Sequence, residues 1–229
     1  MAGREAGTAG VGAVAAVSLD AIRAAAARHF LAVLGGFHCE DEAGLPAGTR
    51  SVLLLGPLEP GYWPHVTVQP EWGGADPVDR WSRRVIGGMA CDFGGKALFP
   101  FGGPPYHPFY QWALRTGRAW ASPVQMLVQA EQGLLVSYRG ALALRAVVAL
   151  PPVAEAPCAG CARPCVTACP VGALGVGGYD VPSCQRFLAR PEGGDCMNFG
   201  CAVRRACPLS LGYARLAEHS AYHMGIFRK

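Results

Sequence analysis

The stretch Cys158-Ala-Gly-Cys161-Ala-Arg-Pro-Cys165-Val-Thr-Ala-Cys169-Pro170 sets four cysteines into twelve residues and closes them with a proline. A looser group follows, Cys184, Cys196, Cys201 and Cys207, and it too ends in Cys-Pro, at Pro208. Eight of the ten cysteines therefore lie between positions 158 and 207. In the ferredoxin run C-x2-C-x2-C-x3-C-P, three thiolates on a tight loop hold one cluster and the fourth cysteine serves the other. This chain departs from that run by one residue before Cys165, either Arg163 or Pro164. A proline after the last cysteine helps turn the chain and leaves no N–H to satisfy. Two Cys-Pro closures predict the same crossing in both directions. One [4Fe–4S] cluster is then expected on Cys158, Cys161, Cys165 and Cys207, and a second on Cys169, Cys184, Cys196 and Cys201.

Other uses of cysteine compete with this reading. Structural zinc also takes four thiolates, but in two separated C-x2-C pairs rather than four cysteines crowded together. Disulfides belong to oxidising compartments, and Met1–Val17 makes a poor signal peptide: Arg4 is followed by Glu5, and no Leu or Phe core appears. Residues 1–17 are expected to be a frayed N-terminus. Cys39, beside His38, and Cys91 stand apart and are expected to be packed thiols. No run of 18 apolar residues is present, so no membrane span is expected and the protein reads as cytoplasmic.

Charge follows the cysteines. Residues 1–157 carry twelve Lys/Arg and twelve Asp/Glu, while residues 158–229 carry eight and four, so the whole +4 excess sits in the cysteine-rich part. Four thiolates bring an oxidised cubane to −2, so two clusters would neutralise that excess. A nucleic-acid module with structural metal is the rival reading, but Arg163, Arg186, Arg190, Arg204 and Arg205 are scattered and no stacking platform accompanies them, so no nucleic acid is expected. These arginines would tune the clusters or dock an acidic redox partner protein. His219 and His223 have i, i+4 spacing without an HExxH order, which favours a packed or surface role over a metal site.

Upstream, a helix is expected from Leu19 to Leu34, with Ser18 as cap, Ile22, Ala26, His29, Phe30 and Val33 on one face, and Gly35-Gly36 as the stop. Ser51–Gly56 reads as a strand and Pro57–Gly74 as irregular chain. Asp76-Pro77 opens a helix through Val78, Trp81, Val85 and Met89, which Gly94-Gly95 ends. Lys96–Phe101 is a further strand, and the prolines of Phe101–Phe109 forbid regular structure before a short helix ending at Thr116-Gly117. Val124–Ala130 and Leu134–Leu150 are expected to form a hairpin about Glu131-Gln132-Gly133. The fold class is therefore α+β, with an α/β arrangement as the variant. Its parts are an N-terminal domain over residues 18–152, a boundary at Pro151, Pro152 and Pro157, and a small iron–sulfur domain over 153–229.

The order of the cysteines, with an isolated Cys184-Gln-Arg-Phe-Leu between the two Cys-Pro closures, resembles the C-terminal half of epoxyqueuosine reductase. That resemblance implies a ferredoxin-like domain with two [4Fe–4S] clusters behind a cobalamin-binding domain, although the spacers of the second group, x4 and x5, are longer here. Asp76-Pro-Val-Asp79, and Ser122-Pro-Val-Gln-Met-Leu-Val-Gln through Tyr138-Arg-Gly-Ala-Leu, look like the cobalamin-processing methylmalonic aciduria type C family. This second likeness covers about residues 45–150 and implies a modified nitroreductase fold able to hold a corrinoid, or else a flavin. Tyr106, Phe109, Tyr110, Trp112 and Trp120 would wall such a cofactor. The acidic catalytic residue of epoxyqueuosine reductase has no match, so queuosine chemistry itself is not expected. The function expected is ferredoxin-like electron transfer. The alternative is a cobalamin-binding reductase whose clusters reduce the corrinoid; whether the protein is an enzyme stays open.

Overall fold

Strand β2 (Ser51–Pro57) is buried along its whole length because both of its faces are covered. The computed structural model describes residues 17–40 and 42–228, so the reading of residues 1–16 as a frayed end lies outside the described residues. Four strands form an antiparallel sheet in the order β1 (Leu31–His38), β2, β6 (Gly140–Leu144), β3 (Gly95–Leu98). Leu53, Leu55, Leu142 and Leu144 point to one face, where Ile22 of α1 (Leu19–Ala27) and Trp81 and Ile86 of α3 (Pro77–Asp92) pack on them. Val52, Leu54, Ala141 and Ala143 point to the other, against Phe37 and against Phe109 and Trp112 of α4 (Phe109–Arg115). The class is mixed α+β with small antiparallel sheets.

Several local expectations are corrected. Ser18 does cap α1, its Oγ accepting from Ala21 N at 3.2 Å, but the helix ends at Ala27. Phe30 takes a left-handed φ of 51°, and Leu31 onward becomes β1. Gly35 and Gly36 are not a helix stop. They sit inside β1, where a Cβ would come 2.7 Å from the Thr116 side chain and 2.5 Å from Leu53. The glycines are there for close approach.

The stretch 57–74 is not irregular throughout. It holds α2 (Tyr62–Thr67) and a 3-10 turn (Pro70–Gly73), too short for periodicity to reveal. Asp76 precedes α3 at φ 44° and makes no side-chain cap, while Pro77 takes the first helical position as expected. Asp79 pairs with Arg139 of the sheet's approach rather than only facing the helix end.

The expected hairpin about residues 131–133 is the largest correction. β5 (Leu127–Gln129) pairs with β4 (Ala119–Ala121), and β6 pairs with β2 and β3. A single bridge, Gln129 to Gly133, is all that joins the two segments. The reason is competition for carbonyls. Arg204 donates to Leu134 O and Val136 O, and Arg215 to Leu135 O, at 2.5, 3.0 and 2.9 Å. Those carbonyls are engaged by distant side chains and not by a facing strand.

The cysteine-bearing part follows as a tiny hairpin, β7 (Leu174–Gly175) and β8 (Gly178–Tyr179), then α5 (Val181–Leu188), α6 (Gly194–Phe199), α7 (Ala202–Arg205), α8 (Pro208–Gly212) and α9 (Ala217–Arg228). Its core is continuous with the upstream chain, since Val124, Val128 and Leu134 pack with Cys165, Val203 and Cys207. The final helix α9 sets His219 on Trp63, ring on ring. No helix among the described residues is long and apolar enough to cross a membrane.

Candidate metal centre

Gly160 at φ 74° and Arg163 at φ 55° curl the chain between Cys158 and Cys165. The extra residue relative to the ferredoxin run is absorbed at this curl, and the 3-10 turn Pro164–Val166 then presents Cys165 inward. Arg163 N donates to Cys161 Sγ at 3.3 Å. Cys207 arrives from the far end of the segment, at the N-cap of α8 with Pro208 in the first turn. Its approach depends on Gly133, whose φ is 57° and where a Cβ would stand 3.0 Å from Cys207 Sγ and 2.6 Å from Ser210 N. Cys158, Cys161, Cys165 and Cys207 thus wall one cavity of about 390 Å³, closed by Val128, Leu134 and Leu209. Burial first, then the thiols of Cys161 and Cys207, push the Cys158 thiol up. The Cys165 thiol is raised in the same way, with Cys207 the largest of its neighbours.

Cys169 leaves that loop and faces a second cavity, of about 150 Å³, shared with Cys184, Cys196 and Cys201. Each comes from a different element. Cys184 lies on α5, whose first turn is held by Asp180 Oδ1 accepting from Ser183 N at 3.0 Å. Cys196 lies on α6, and Cys201 caps α7. Between them Gly200 takes φ 91°, and a Cβ there would come 2.7 Å from the Ser220 side chain of α9. Tyr179 Oη donates to Cys184 Sγ at 3.5 Å, and burial pushes both that phenol and the Cys184 thiol up. Arg204, Met126, Phe187 and His223 complete the wall.

The structure therefore brings the eight cysteines together in the two quartets that the Cys-Pro closures suggest, crossing included. No two of the ten cysteines, all among the described residues, are joined. Among the described residues no three His, Cys, Asp or Glu side chains converge tightly enough to share one ion. Four thiolates on a single zinc stand only about 4 Å apart, given bonds of about 2.3 Å in a tetrahedron. Here the thiols of each quartet line a cavity instead.

No family model, no curated protein and no solved structure matches this chain.

The remaining candidates separate clearly. Cys39 is a packed thiol, its Sγ donating to Thr49 O at 3.6 Å, while His38 Nε2 is turned to Val148 O at 2.9 Å. Cys91 is exposed on α3, not packed, because the helix turns that face to solvent. Of the arginines, Arg205 bonds Gly200 O and pairs with Asp195, and Arg186 donates to Ser183 Oγ. These are fasteners of the cysteine segment. Among the described residues Arg204 has no carboxylate partner; it is half-buried, desolvation pushes it down, and its guanidinium donates to Leu134 O and Val136 O beside the second cavity.

The aromatic group divides. Trp112 is core, Trp120 packs beside the first thiol cavity, and Tyr106 lies on a separate surface hollow. Phe109 and Tyr110, with Tyr138, wall a third cavity of about 220 Å³. That cavity shares Leu134 with the first thiol cavity and Met126 and Arg204 with the second. Leu134 and Tyr179 carried no signal in the sequence, since apolar and aromatic residues at such positions are ordinarily core, and His223 was marked only by its i, i+4 spacing from His219.

Proposed function

We propose that this chain is a ferredoxin-like electron-transfer protein carrying two [4Fe–4S] clusters, one on Cys158, Cys161, Cys165 and Cys207 and the other on Cys169, Cys184, Cys196 and Cys201. The observation that carries the reading is the sorting of eight thiols into two cavities in crossed order. The clusters would supply one-electron chemistry, with potentials set by burial, by hydrogen bonds to sulfur and by local charge. Three groups support the reading: Arg163 N–H and Tyr179 O–H donate to sulfurs, and Arg204 is a half-buried cation beside the second site. The modified nitroreductase-like and ferredoxin-like domains belong to this proposal, as does a cytoplasmic location with a redox partner protein.

The third cavity favours a second reading, in which a corrinoid or flavin bound there takes the electrons. It adjoins both thiol cavities and has aromatic walls. Its volume of about 220 Å³ falls below the roughly 300 Å³ at which pockets enclose drug-sized ligands. A corrinoid has suitable walls there and too little room, which makes this reading the weaker one.

Electron paramagnetic resonance of anaerobically purified, dithionite-reduced protein, with and without cob(II)alamin, tests both. Signals of reduced cubanes support the first reading, and zinc in their place overturns it. A cob(II)alamin signal that loses its axial nitrogen supports the second reading, and an unchanged free-cofactor spectrum removes it.

A further inference from the structure

Beyond the thiols, three titratable side chains form a buried line. Glu59 follows β2, its side chain wholly enclosed. Its Oε1 lies 2.5 Å from His219 Nδ1, and His219 Nε2 lies 3.1 Å from His223 Nε2. The two histidines are one turn apart on α9 and so share a face. His219 is sealed between Trp63, stacked at 4.9 Å and 9°, and Tyr62 at 5.2 Å. His223 is part of the wall of the second thiol cavity. The line thus runs from a sealed carboxyl to that cavity, whereas the first thiol cavity has no carboxyl or imidazole in its wall.

The position of the shared proton follows from burial. Burial raises the Glu59 carboxyl to about 7, against the opposing pull of Arg215. Burial first and Arg215 next hold both imidazoles well below their usual value. Below about pH 7 the carboxyl holds the proton between Glu59 and His219, and above it the carboxylate accepts from His219 Nδ1–H. Around the line stand Tyr62 of α2, pushed up to about 12, Tyr213 and Arg215 from the turn before α9, Arg204 of α7, and Arg139 with its partner Asp79 of α3. Arg215 is lowered only to about 10 and Tyr213 is raised, so these groups keep one charge state near neutral pH while Glu59 does not.

Two hydrogen-bond orders are open to the line, and they differ by one proton. With Glu59 ionised, His219 Nδ1–H donates to Oε1, His223 Nε2–H donates to His219 Nε2, and His223 Nδ1 holds a lone pair. A proton accepted at His223 Nδ1 breaks the His223 Nε2–H bond and forms one at His219 Nε2. The His219 Nδ1–H bond then breaks and an O–H bond forms on Glu59. Each bond reverses, no imidazolium remains, and the proton has crossed from the cavity wall to the carboxyl.

We propose that Glu59, His219 and His223 are a proton relay for the second thiol-walled cavity, storing one proton on Glu59 when that cavity gains an electron. This rests on the reading of the cavities as [4Fe–4S] sites. The electron comes from a low-potential one-electron donor and the proton from water. The physical drive is that an added charge in a buried site is costly unless an opposite one arrives with it.

The test is a dithionite titration of anaerobic holoprotein, followed by paramagnetic resonance from about pH 6 to about pH 9. One cluster's midpoint is expected to be flat below about pH 7 and to fall above it by up to 59 mV per pH unit, the equivalent of a tenfold change in proton activity per electron. The other cluster's midpoint stays flat. Glu59→Gln, which keeps shape and hydrogen bonding but cannot titrate, is expected to flatten the sloping one; where that variant does not fold, His223→Leu carries the same expectation. Two clusters with flat midpoints in the unmodified protein, or a slope that survives the substitution, overturn the relay alone. Failure to find two cubane signals overturns the cluster reading, and the relay with it.

Discussion

The two thiol-walled cavities are made from the same residue type by opposite means. The first takes three of its cysteines from one curled loop of eight residues, 158–165, and needs long-range help only for Cys207. The second draws Cys169, Cys184, Cys196 and Cys201 from four separate pieces of chain, held in place by α9 and the cap of α5. The first has Arg163 and Ser122 among its otherwise apolar lining, and the second has Tyr179, Arg204 and His223. A loop can fix where thiols stand, but polar groups that modulate them arrive through packing. An imidazole stands in the wall of the second cavity and not of the first, which is why the proposed relay serves the second.

Substituting the cysteines in pairs would break the comparison most sharply. Cys165→Ser and Cys207→Ser are each expected to cost about half of the bound iron, and the double variant no more than either one. Cys165→Ser with Cys169→Ser should lose nearly all of it, although those two positions are neighbours in sequence. Iron analysis with paramagnetic resonance reads this, and equal losses in the two doubles would defeat the crossed assignment.

A smaller effect is expected from Gly133→Ala. The new Cβ meets Ser210 N and Cys207 Sγ at a left-handed φ, so Cys207 must shift. The expected cost is about 2 kcal/mol in chemical denaturation, with loss of signal from the first cluster and retention of the second. Equal loss of both signals would show that the two sites are not independently supported. Least of all, Cys91→Ser on the exposed face of α3 should leave iron content unchanged and stability within about 0.5 kcal/mol. A loss of iron there would mean that the eight thiols are not the complete set.

Legibility in the sequence followed the range of the interaction. The capped start of α1, the span of β2, and Pro77 at the head of α3 depend on neighbours within a few residues, and each could be read from them. The hairpin at residues 131–133 was misread because the competing donors, Arg204 and Arg215, are some seventy to eighty positions away. Gly35-Gly36 was misread for the same reason, since what demands glycine there is Thr116 and Leu53.

The sequence by itself determined the eight thiols, their grouping about two Cys-Pro closures, and a charge balance suited to anionic clusters, because spacing and composition are local quantities. Only the tertiary structure decided that Arg204 is half-buried beside the second cavity, that Tyr179 reaches Cys184, and that α9 carries His223 to the cavity and His219 to Glu59. Those placements depend on the packing of segments remote in sequence. Once buried, charges and protons are governed by desolvation and by whichever partner the fold supplies, and no spacing rule encodes either.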